Sequence, residues 1–464
     1  MNCSLPSLPC FLGTFAVHNI SVMKSFIAFA LTLSLLITAA CKKTDYDPAL
    51  CANTSLIHRS VNKTTEIIVH DIFSPVVAGR IYAYTNIALY ETLRHGHPEY
   101  KTLAGQIRDL TAVPEPPADP KVDINLAGIH AYLTVAKALI FSEEEMQAYT
   151  DSLYAELKTK GLPDDVFDAS TAYGKTVADH ILAWSKKDNY AQTRSYPKYT
   201  VTNEQGRWQP TPPAYIEAVE PHWRDIRSMT LDSASQFAPP PPTAFSTDKS
   251  SQFFKEAQSV YMSVDTNKEE RVEIANFWDC NPYVMHTEGH LMMATKKITP
   301  GGHWMGIVGL ATRKAGKDMV GTAEAYALVS IGLFDGFISC WDEKYRRNLI
   351  RPETYINQNI DPNWEPTLQT PPFPEHSSGH SVISAASSVI LTKLFGDNFA
   401  FADSTEVPYN LPVRSFKSFN EAANEASISR YYGGIHYMNA LTYGLAQGTK
   451  VGEHVLATVH TRTE

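Results

Sequence analysis

Cysteine is scarce in this sequence, with six among 464 residues. No two of them form a CxxC pair, so the usual cysteine-based zinc patterns are absent. Positive charge is also in deficit, because 40 lysines and arginines face 49 aspartates and glutamates and leave a net charge of -9. Nucleic acid is therefore not expected as a partner. Hydrophobic residues make up 44% of the chain, enough for a large core or for two domains packed as one unit.

Strand-like alternation of apolar and polar residues is rare as well. Apolar residues recur instead at three- and four-residue spacing, which is typical of amphipathic helices. Proline-rich loops at 113–120, 209–215 and 238–245 separate these segments, and no repeat of fixed period is visible. The sequence predicts an all-α protein with helices at about 64–96 (broken early by Pro75), 122–140, 143–160, 164–186, 250–263, 267–278, 318–345, 379–396, 417–430 and 436–458.

The first 40 residues have the features of an export signal. After Met23 and a lysine, an apolar run from Phe26 to Ala40 precedes Cys41. This run is short for a membrane span, so we assign residues 1–40 to a signal peptide. Residues 1–22 do not resemble the start of a signal peptide, which makes Met23 an alternative start of the protein.

Cys41 ends the tetrapeptide Thr38-Ala39-Ala40-Cys41, which resembles a bacterial lipobox with threonine in place of the usual leucine. The resemblance implies an exported bacterial lipoprotein that begins at a lipidated Cys41. Such a protein is anchored to the cell envelope, in the periplasm or at the outer membrane, and residues 41–63 would be its tether. A plain secretory signal with an incidental cysteine is the alternative.

Three short polar motifs in the second half of the chain carry the chemistry. In the first motif, Lys344 and Arg351 are seven residues apart, which is two helical turns. Both side chains point the same way if the helix continues as far as Pro352. A Lys/Arg pair can bind a tetrahedral oxyanion, although the surrounding charges are also typical of a solvated helix end.

The second motif is Ser378-Gly379-His380, at the start of a predicted helix. Ser378 can cap the helix, and Gly379 permits close approach to the first backbone N–H groups, which favour an anion. The His380 imidazole would then lie within reach of that anion. A capping serine beside an ordinary exposed histidine is the alternative.

The third motif contains Arg430 and His436, six residues apart. On an unbroken helix they would lie on different faces. Gly433 and Gly434 between them predict a turn, and a turn can bring both side chains to one pocket. A helix corner with a core histidine is the alternative.

In this order, Lys-x6-Arg-Pro, Ser-Gly-His and Ser-Arg-x5-His resemble the signature of the type-2 phosphatidic acid phosphatase and vanadium haloperoxidase superfamily. The match covers about residues 320–458, and the preceding helices resemble soluble bacterial vanadium-dependent haloperoxidase-like proteins. The resemblance implies a helical bundle that holds one oxyanion, either vanadate or a phosphoryl group. It divides the chain into an N-terminal helical region, 64–317, and a C-terminal oxyanion-binding region, 318–464.

The resemblance also implies a role for each motif residue. His436 would be the vanadium ligand, or the nucleophile in a phosphatase, and His380 would be the general acid–base on the opposite side. Basic and small polar groups would bind the vanadate or phosphate oxygens: Lys344, Arg351, Ser378, Gly379 and Arg430.

Two aromatic residues extend the resemblance toward the peroxidases. Trp341 lies one turn before Lys344, and Phe373 lies seven residues before His380. Aromatic residues at these spacings resemble the halide pocket of chloride-oxidising vanadium enzymes, whereas bromide enzymes tend to have histidine at the second position. The alternative is that both rings are packing residues.

Two positions depart from the family pattern. Ser377 stands where many members have proline. The phosphatase pattern continues as His-x3-Asp, but the fourth residue after His436 is Ala440, and the nearest polar residue is Asn439. Since that aspartate normally helps to orient a site histidine, its loss disfavours phosphatase turnover and leaves the anion site intact.

These features favour a vanadium haloperoxidase-like enzyme that oxidises halide with hydrogen peroxide at a histidine-bound vanadate, in a site that phosphate can also occupy. The alternatives are an acid phosphatase that acts on phosphomonoesters through a phosphohistidine, and a non-catalytic oxyanion-binding lipoprotein. The presence of both His380 and His436 favours an enzyme, because anion capture alone needs neither a proton shuttle nor an axial ligand.

Other polar residues give weaker signals. His286 and His290 are four residues apart, but no third ligand accompanies them and a non-metal role is favoured. Asp279 is a candidate partner of a site arginine by analogy. The other cysteines of the mature chain are interpreted as inert, with a disulfide among them left open: Cys51, Cys280 and Cys340.

Overall fold

The computed structural model describes residues 46–202, 204–264, 268–288 and 291–463. The predicted signal peptide and Cys41 lie outside the described residues, as do His290 and the side chain of His286. Within the described chain, helices of the predicted N-terminal and C-terminal regions pack against one another in one unit.

The N-terminal part confirms the predicted helical class. Its helices are α1 (Ser55–His70), α2 (Pro75–Leu93), α3 (Ile124–Leu139), α4 (Glu143–Thr159), α5 (Asp164–Ser185), the single turn α6 (Tyr190–Thr193), α7 (Gln252–Ser263) and α8 (Glu269–Phe277).

The first helix begins earlier than predicted. α1 starts at Ser55, inside the range 41–63 that the sequence assigned to a tether. The Ser55 backbone N–H donates to Asn53 Oδ1 at 3.0 Å. The predicted break at Pro75 is present, because Pro75 opens α2 and the Ser74 hydroxyl caps that helix.

The described chain after α8 contains the remaining α-helices and two short antiparallel hairpins. In chain order these are β1 (Met285–Glu288), β2 (Leu291–Ala294), α9 (Pro300–Lys314), α10 (Met319–Arg347), α11 (Pro352–Asn359), α12 (Gly379–Phe395), β3 (Phe401–Asp403), β4 (Arg414–Phe416), α13 (Phe419–Tyr432) and α14 (Met438–Thr458).

Helix α10 is the centre of the fold. It is buried from Met319 to Lys344 and packs against α2, α9, α12 and α14. Among the described residues it is the one helix long and apolar enough to cross a membrane, and its apolar stretch is fully enclosed by protein. It therefore delivers its last buried residue, Lys344, into the interior.

Helices α12 and α14 pack at very close range. A Cβ atom added at Gly448 of α14 would lie 2.0 Å from the Val382 carbonyl oxygen of α12. Only glycine fits at this position, because no side chain can share that space with a backbone carbonyl. The contact fixes the helix whose first turn carries the Ser-Gly-His motif.

Candidate active site

Lys344 and Arg351 reach the same region from two different elements. Helix α10 ends at Arg347, and Asn348 follows in the left-handed conformation with a φ of 50°. The continuous helix that would align the two side chains is therefore not formed. Arg351 is instead the residue before α11, and both it and Lys344 are fully buried.

The Lys344 ammonium holds the loop that leads into α12. Its Nζ donates to the carbonyl oxygens of Pro374 at 3.0 Å, Glu375 at 3.1 Å and Ser377 at 2.6 Å. Burial lowers the pKa of Lys344 to about 8. The lysine thus places a positive charge in contact with the backbone carbonyls of this loop.

The Arg351 guanidinium links the same loop to the turn before α14. Its Nε donates to the Phe373 carbonyl at 2.9 Å, and its Nη1 donates to the Ile435 carbonyl at 2.9 Å. The same Nη1 lies 3.2 Å from His436 Nε2. Burial lowers the pKa of Arg351 to about 10. Arg351 therefore joins the second and third motifs.

The second motif forms the N-terminus of α12, as predicted. The Ser378 hydroxyl accepts from the Ser381 backbone N–H at 3.3 Å and caps the helix. Gly379 lines a cavity, where an added Cβ would meet the Trp341 ring at 3.6 Å. The preceding Ser377 hydroxyl donates to Gln447 Oε1 of α14 at 2.7 Å.

Arg430, in the last turn of α13, offers unmatched donors to this cavity. Its Nη1 donates to the Trp278 carbonyl at 2.7 Å, and its Nη2 is 3.7 Å from Asp279 Oδ1. Its Nε and Nη2 are buried without a hydrogen-bond partner among the described residues. Buried arginine donors normally have partners, so these two groups indicate a ligand.

His380 lies in the first turn of α12 and faces the same cavity. Its Nε2 is buried without a hydrogen-bond partner in the described chain. Burial first, and the Arg430 charge second, hold the pKa of His380 well below its usual range. The structure therefore supplies a neutral imidazole beside the unmatched arginine donors.

His436 is held by a carboxylate that the motif pattern did not reveal. Its Nδ1 lies 2.7 Å from Glu375 Oε1, which also accepts from the Tyr437 backbone N–H at 3.0 Å. Its Nε2 faces Arg351, which can only donate. The proton therefore sits on Nδ1, and the lone pair of Nε2, which accepts from Arg351 at 3.2 Å, is the one that a metal would take.

Glu375 is a buried acid among positive charges. Burial raises its pKa to about 7, and the charges of Arg351 and Lys344 oppose that rise. Those two groups, with Arg430, also repel a proton on His436, so its pKa lies well below the usual range after burial has acted. The five groups therefore share one electrostatic environment.

Asn439 does not replace the family aspartate at His436. Its amide Nδ2 donates to Thr243 Oγ1 at 3.2 Å and to Glu256 Oε1 at 2.9 Å. The orienting carboxylate comes instead from Glu375, five residues before His380 in a loop. No helical spacing connects Glu375 to His436, so the sequence pattern gave no signal for it.

Trp341 and Phe373 form an aromatic wall of the cavity. Their ring centroids are 4.9 Å apart, and Lys344 Nζ lies 4.9 Å from the Phe373 ring centroid. Both rings are buried and both line the cavity that His380 and Arg430 face. The structure thus brings the predicted aromatic pair to the predicted polar site.

The described cysteines form no disulfide with one another. Each is a buried thiol: Cys51, Cys280 and Cys340.

Comparisons with known proteins show the family of this chain. The family model of the VCPO second helical-bundle domain matches residues 357–464. The chain is 52% identical to a bacterial vanadium-dependent iodoperoxidase of known structure, with a TM-score of 0.85 over 89% of this chain and 98% of that one. A comparison with curated proteins gives no match.

Two more distant structures share the fold. They are the holo and apo forms of a bacterial vanadium-dependent chloroperoxidase, 14% and 16% identical, both with a TM-score of 0.63. The matches cover 84% and 83% of this chain and 93% and 95% of those chains. The high identity to the iodoperoxidase over nearly its whole length shows that this chain belongs to the vanadium-dependent haloperoxidase family.

Proposed function

We propose that the protein is a vanadate-dependent haloperoxidase that oxidises iodide with hydrogen peroxide. The observation that carries the proposal is the set of unpaired buried polar groups, Nε and Nη2 of Arg430 and Nε2 of His380, in a cavity that His436 also lines. The 52% identical bacterial iodoperoxidase supports iodide as the halide. Iodide is also the halide that is oxidised most easily among iodide, bromide and chloride.

The site suits vanadate because buried positive charge exceeds the negative charge around it. Lys344, Arg351 and Arg430 are fully buried. The carboxylates beside them are those of Glu375, Glu353 and Asp279. Burial raises the pKa of Glu375 and of Glu353, which disfavours their negative charge, and Asp279 also pairs with Lys297. A buried cationic site without a matching anion is unfavourable, so an oxyanion ligand would stabilise it. The first turn of α12 adds backbone N–H groups at Gly379.

Vanadate, when bound, supplies an electrophilic centre that makes peroxide reactive toward halide. His436 would hold it through Nε2, because Glu375 keeps the proton on Nδ1. Arg430 would donate Nε–H and Nη2–H to its oxygens, since both groups lack other partners in the described chain. Lys344 and Arg351 contribute charge while they fix the loops on either side.

His380 would act as the general acid–base that accepts a proton from the incoming peroxide. Its low pKa keeps the imidazole neutral at neutral pH, so one ring nitrogen can accept a proton and later return it. Trp341 and Phe373 exclude water from one side of the cavity and give a large, polarisable halide an apolar contact surface.

The experiment compares two halves of one metal-free preparation. One half is loaded with vanadate and assayed for peroxide-dependent oxidation of iodide, bromide and chloride. The other half, without vanadate, is assayed on a phosphomonoester. We expect iodide oxidation that requires vanadate. Phosphatase turnover without halide oxidation in the loaded half would contradict the proposal and favour the phosphatase alternative.

A further inference from the structure

A second buried polar cluster lies next to the active site and has no part in the proposed reaction. Cys280 Sγ is 3.5 Å from His303 Nδ1 and 3.7 Å from Glu406 Oε1, and His303 Nδ1 is 2.9 Å from Glu406 Oε1. All three side chains are buried. We propose that these three atoms bind a divalent metal ion of the zinc type.

The spacing of the three atoms suits a tetrahedral ion. Zinc–ligand bonds of about 2.0–2.3 Å at tetrahedral angles place neighbouring donor atoms roughly 3.3–3.6 Å apart. The two distances from Cys280 Sγ, 3.5 and 3.7 Å, fall close to that range, and the distance from His303 Nδ1 to Glu406 Oε1 is shorter at 2.9 Å. Small movements of the glutamate side chain would complete the geometry.

The histidine is oriented for coordination by a second carboxylate. His303 Nε2 lies 2.8 Å from Asp403 Oδ2, and Asp403 Oδ1 accepts from the Thr405 backbone N–H at 2.9 Å. A proton on Nε2 donated to Asp403 leaves the Nδ1 lone pair directed at Cys280 and Glu406. Carboxylate–histidine pairs of this kind orient metal-binding histidines in known sites. The Trp278 ring stacks on the imidazole at 4.4 Å and fixes its plane.

The donor set of this cluster suits a divalent ion. Asp403 and Glu406 bring two carboxylates to one imidazole, and all three side chains are buried. The Cys280 thiol would release its proton to solvent on binding, so a divalent cation with one thiolate, one carboxylate and a neutral imidazole would form an uncharged group. Sulfur, nitrogen and oxygen donors together favour zinc over calcium or magnesium.

The three ligands come from separate parts of the chain. Cys280 follows α8, His303 lies in α9, and Glu406 follows the β3 strand. An ion would therefore fix the segment after α8, which includes the Trp278 carbonyl bound by Arg430 and the Asp279 carboxylate beside it. The inferred role is structural support for the arginine of the oxyanion site.

The test measures metal content and coordination directly. The full chain is purified from cells grown with zinc, dialysed, and analysed for bound metals by mass spectrometry. We expect about one zinc ion per folded chain, a content that Cys280→Ser and His303→Gln lower at least tenfold. Cys51→Ser is the matched control, because it removes another buried thiol and should retain the metal.

Cobalt replacement supplies a readout that does not depend on whether a variant folds. Wild-type protein loaded with Co²⁺ should show a thiolate-to-cobalt charge-transfer band and tetrahedral d–d bands, and vanadate should bind more weakly once the metal is removed by a chelator. Folded wild-type protein without zinc, which also takes up no cobalt, would overturn the proposal and leave a buried ion pair. Bound cobalt without a thiolate band would overturn it too.

Discussion

Replacement of Arg430 by lysine tests how the oxyanion is bound. In the structure the Arg430 side chain is fully buried, one of its nitrogens donates to the Trp278 carbonyl, and Nε and Nη2 have no hydrogen-bond partner in the described chain. Arg430→Lys keeps the positive charge near Asp279 but cannot offer two donors in a fixed planar arrangement. We therefore expect weaker vanadate binding in a protein that is still folded.

The expected loss follows from the number of hydrogen bonds. A hydrogen bond that involves a charged group contributes about 1.5–3 kcal/mol. A lysine can restore the charge and one of the two contacts, so the loss corresponds to about one such bond. This is roughly a 10- to 150-fold rise in the vanadate Kd.

The assay is isothermal titration calorimetry with vanadate, and with phosphate as a second oxyanion. Arg414→Lys is the matched control, because Arg414 pairs with Glu425 at 2.8 Å outside the cavity and should leave the Kd unchanged. Arg351→Lys should mainly lower the free energy of unfolding, since its donors hold backbone carbonyls. An unchanged vanadate Kd in folded Arg430→Lys would refute this view of the site.

Three further predictions concern stability and location. Gly448→Ala should lower the free energy of unfolding by about 1–3 kcal/mol, because the added Cβ overlaps the Val382 carbonyl. The control is Gly336→Ala, whose added Cβ would meet its nearest neighbour at 3.6 Å and should change that free energy much less. Urea denaturation measures both. Burial lowers the pKa of His376 to about 3, so below pH 6.5 the unfolded chain binds more protons than the folded chain. The free energy of unfolding should therefore fall by about 1.4 kcal/mol for each unit by which the pH is lowered between about pH 6.5 and 3. Denaturation at pH 7.5 and at pH 5.5 tests the sign, with lower stability expected at pH 5.5. Mass spectrometry of the envelope fraction should find a mature protein that begins at a lipidated Cys41, and an unmodified, freely soluble protein would contradict that prediction.

The helices could largely be predicted because apolar periodicity reports directly on burial. Helix α10 was expected at 318–345 and occupies Met319–Arg347, and the last helix was expected at 436–458 and occupies Met438–Thr458. Helix α9 was missed because it starts as Pro300-Gly301-Gly302, a sequence typical of a turn. Its start depends on the Thr299 hydroxyl, which accepts from the Gly302 backbone N–H at 3.1 Å.

The candidate site could be predicted only where its residues lie close together in a motif. The Ser-Gly-His turn was identified because three adjacent residues form one helix start. Glu375 could not be identified as the partner of His436, since a loop, and no regular spacing, brings them together. The same holds for Cys280, His303 and Glu406, whose convergence depends on the tertiary fold.

The most direct test of the account separates the roles of the two histidines. Vanadate calorimetry and iodide oxidation rates are measured on His436→Ala and His380→Ala. We predict that His436→Ala loses vanadate affinity and activity together. We predict that His380→Ala retains much of the binding while its peroxidase rate falls by about 10²–10⁴-fold. Loss of binding in His380→Ala with intact binding in His436→Ala would reverse the assignment, and full activity in both variants would contradict the proposed haloperoxidase reaction.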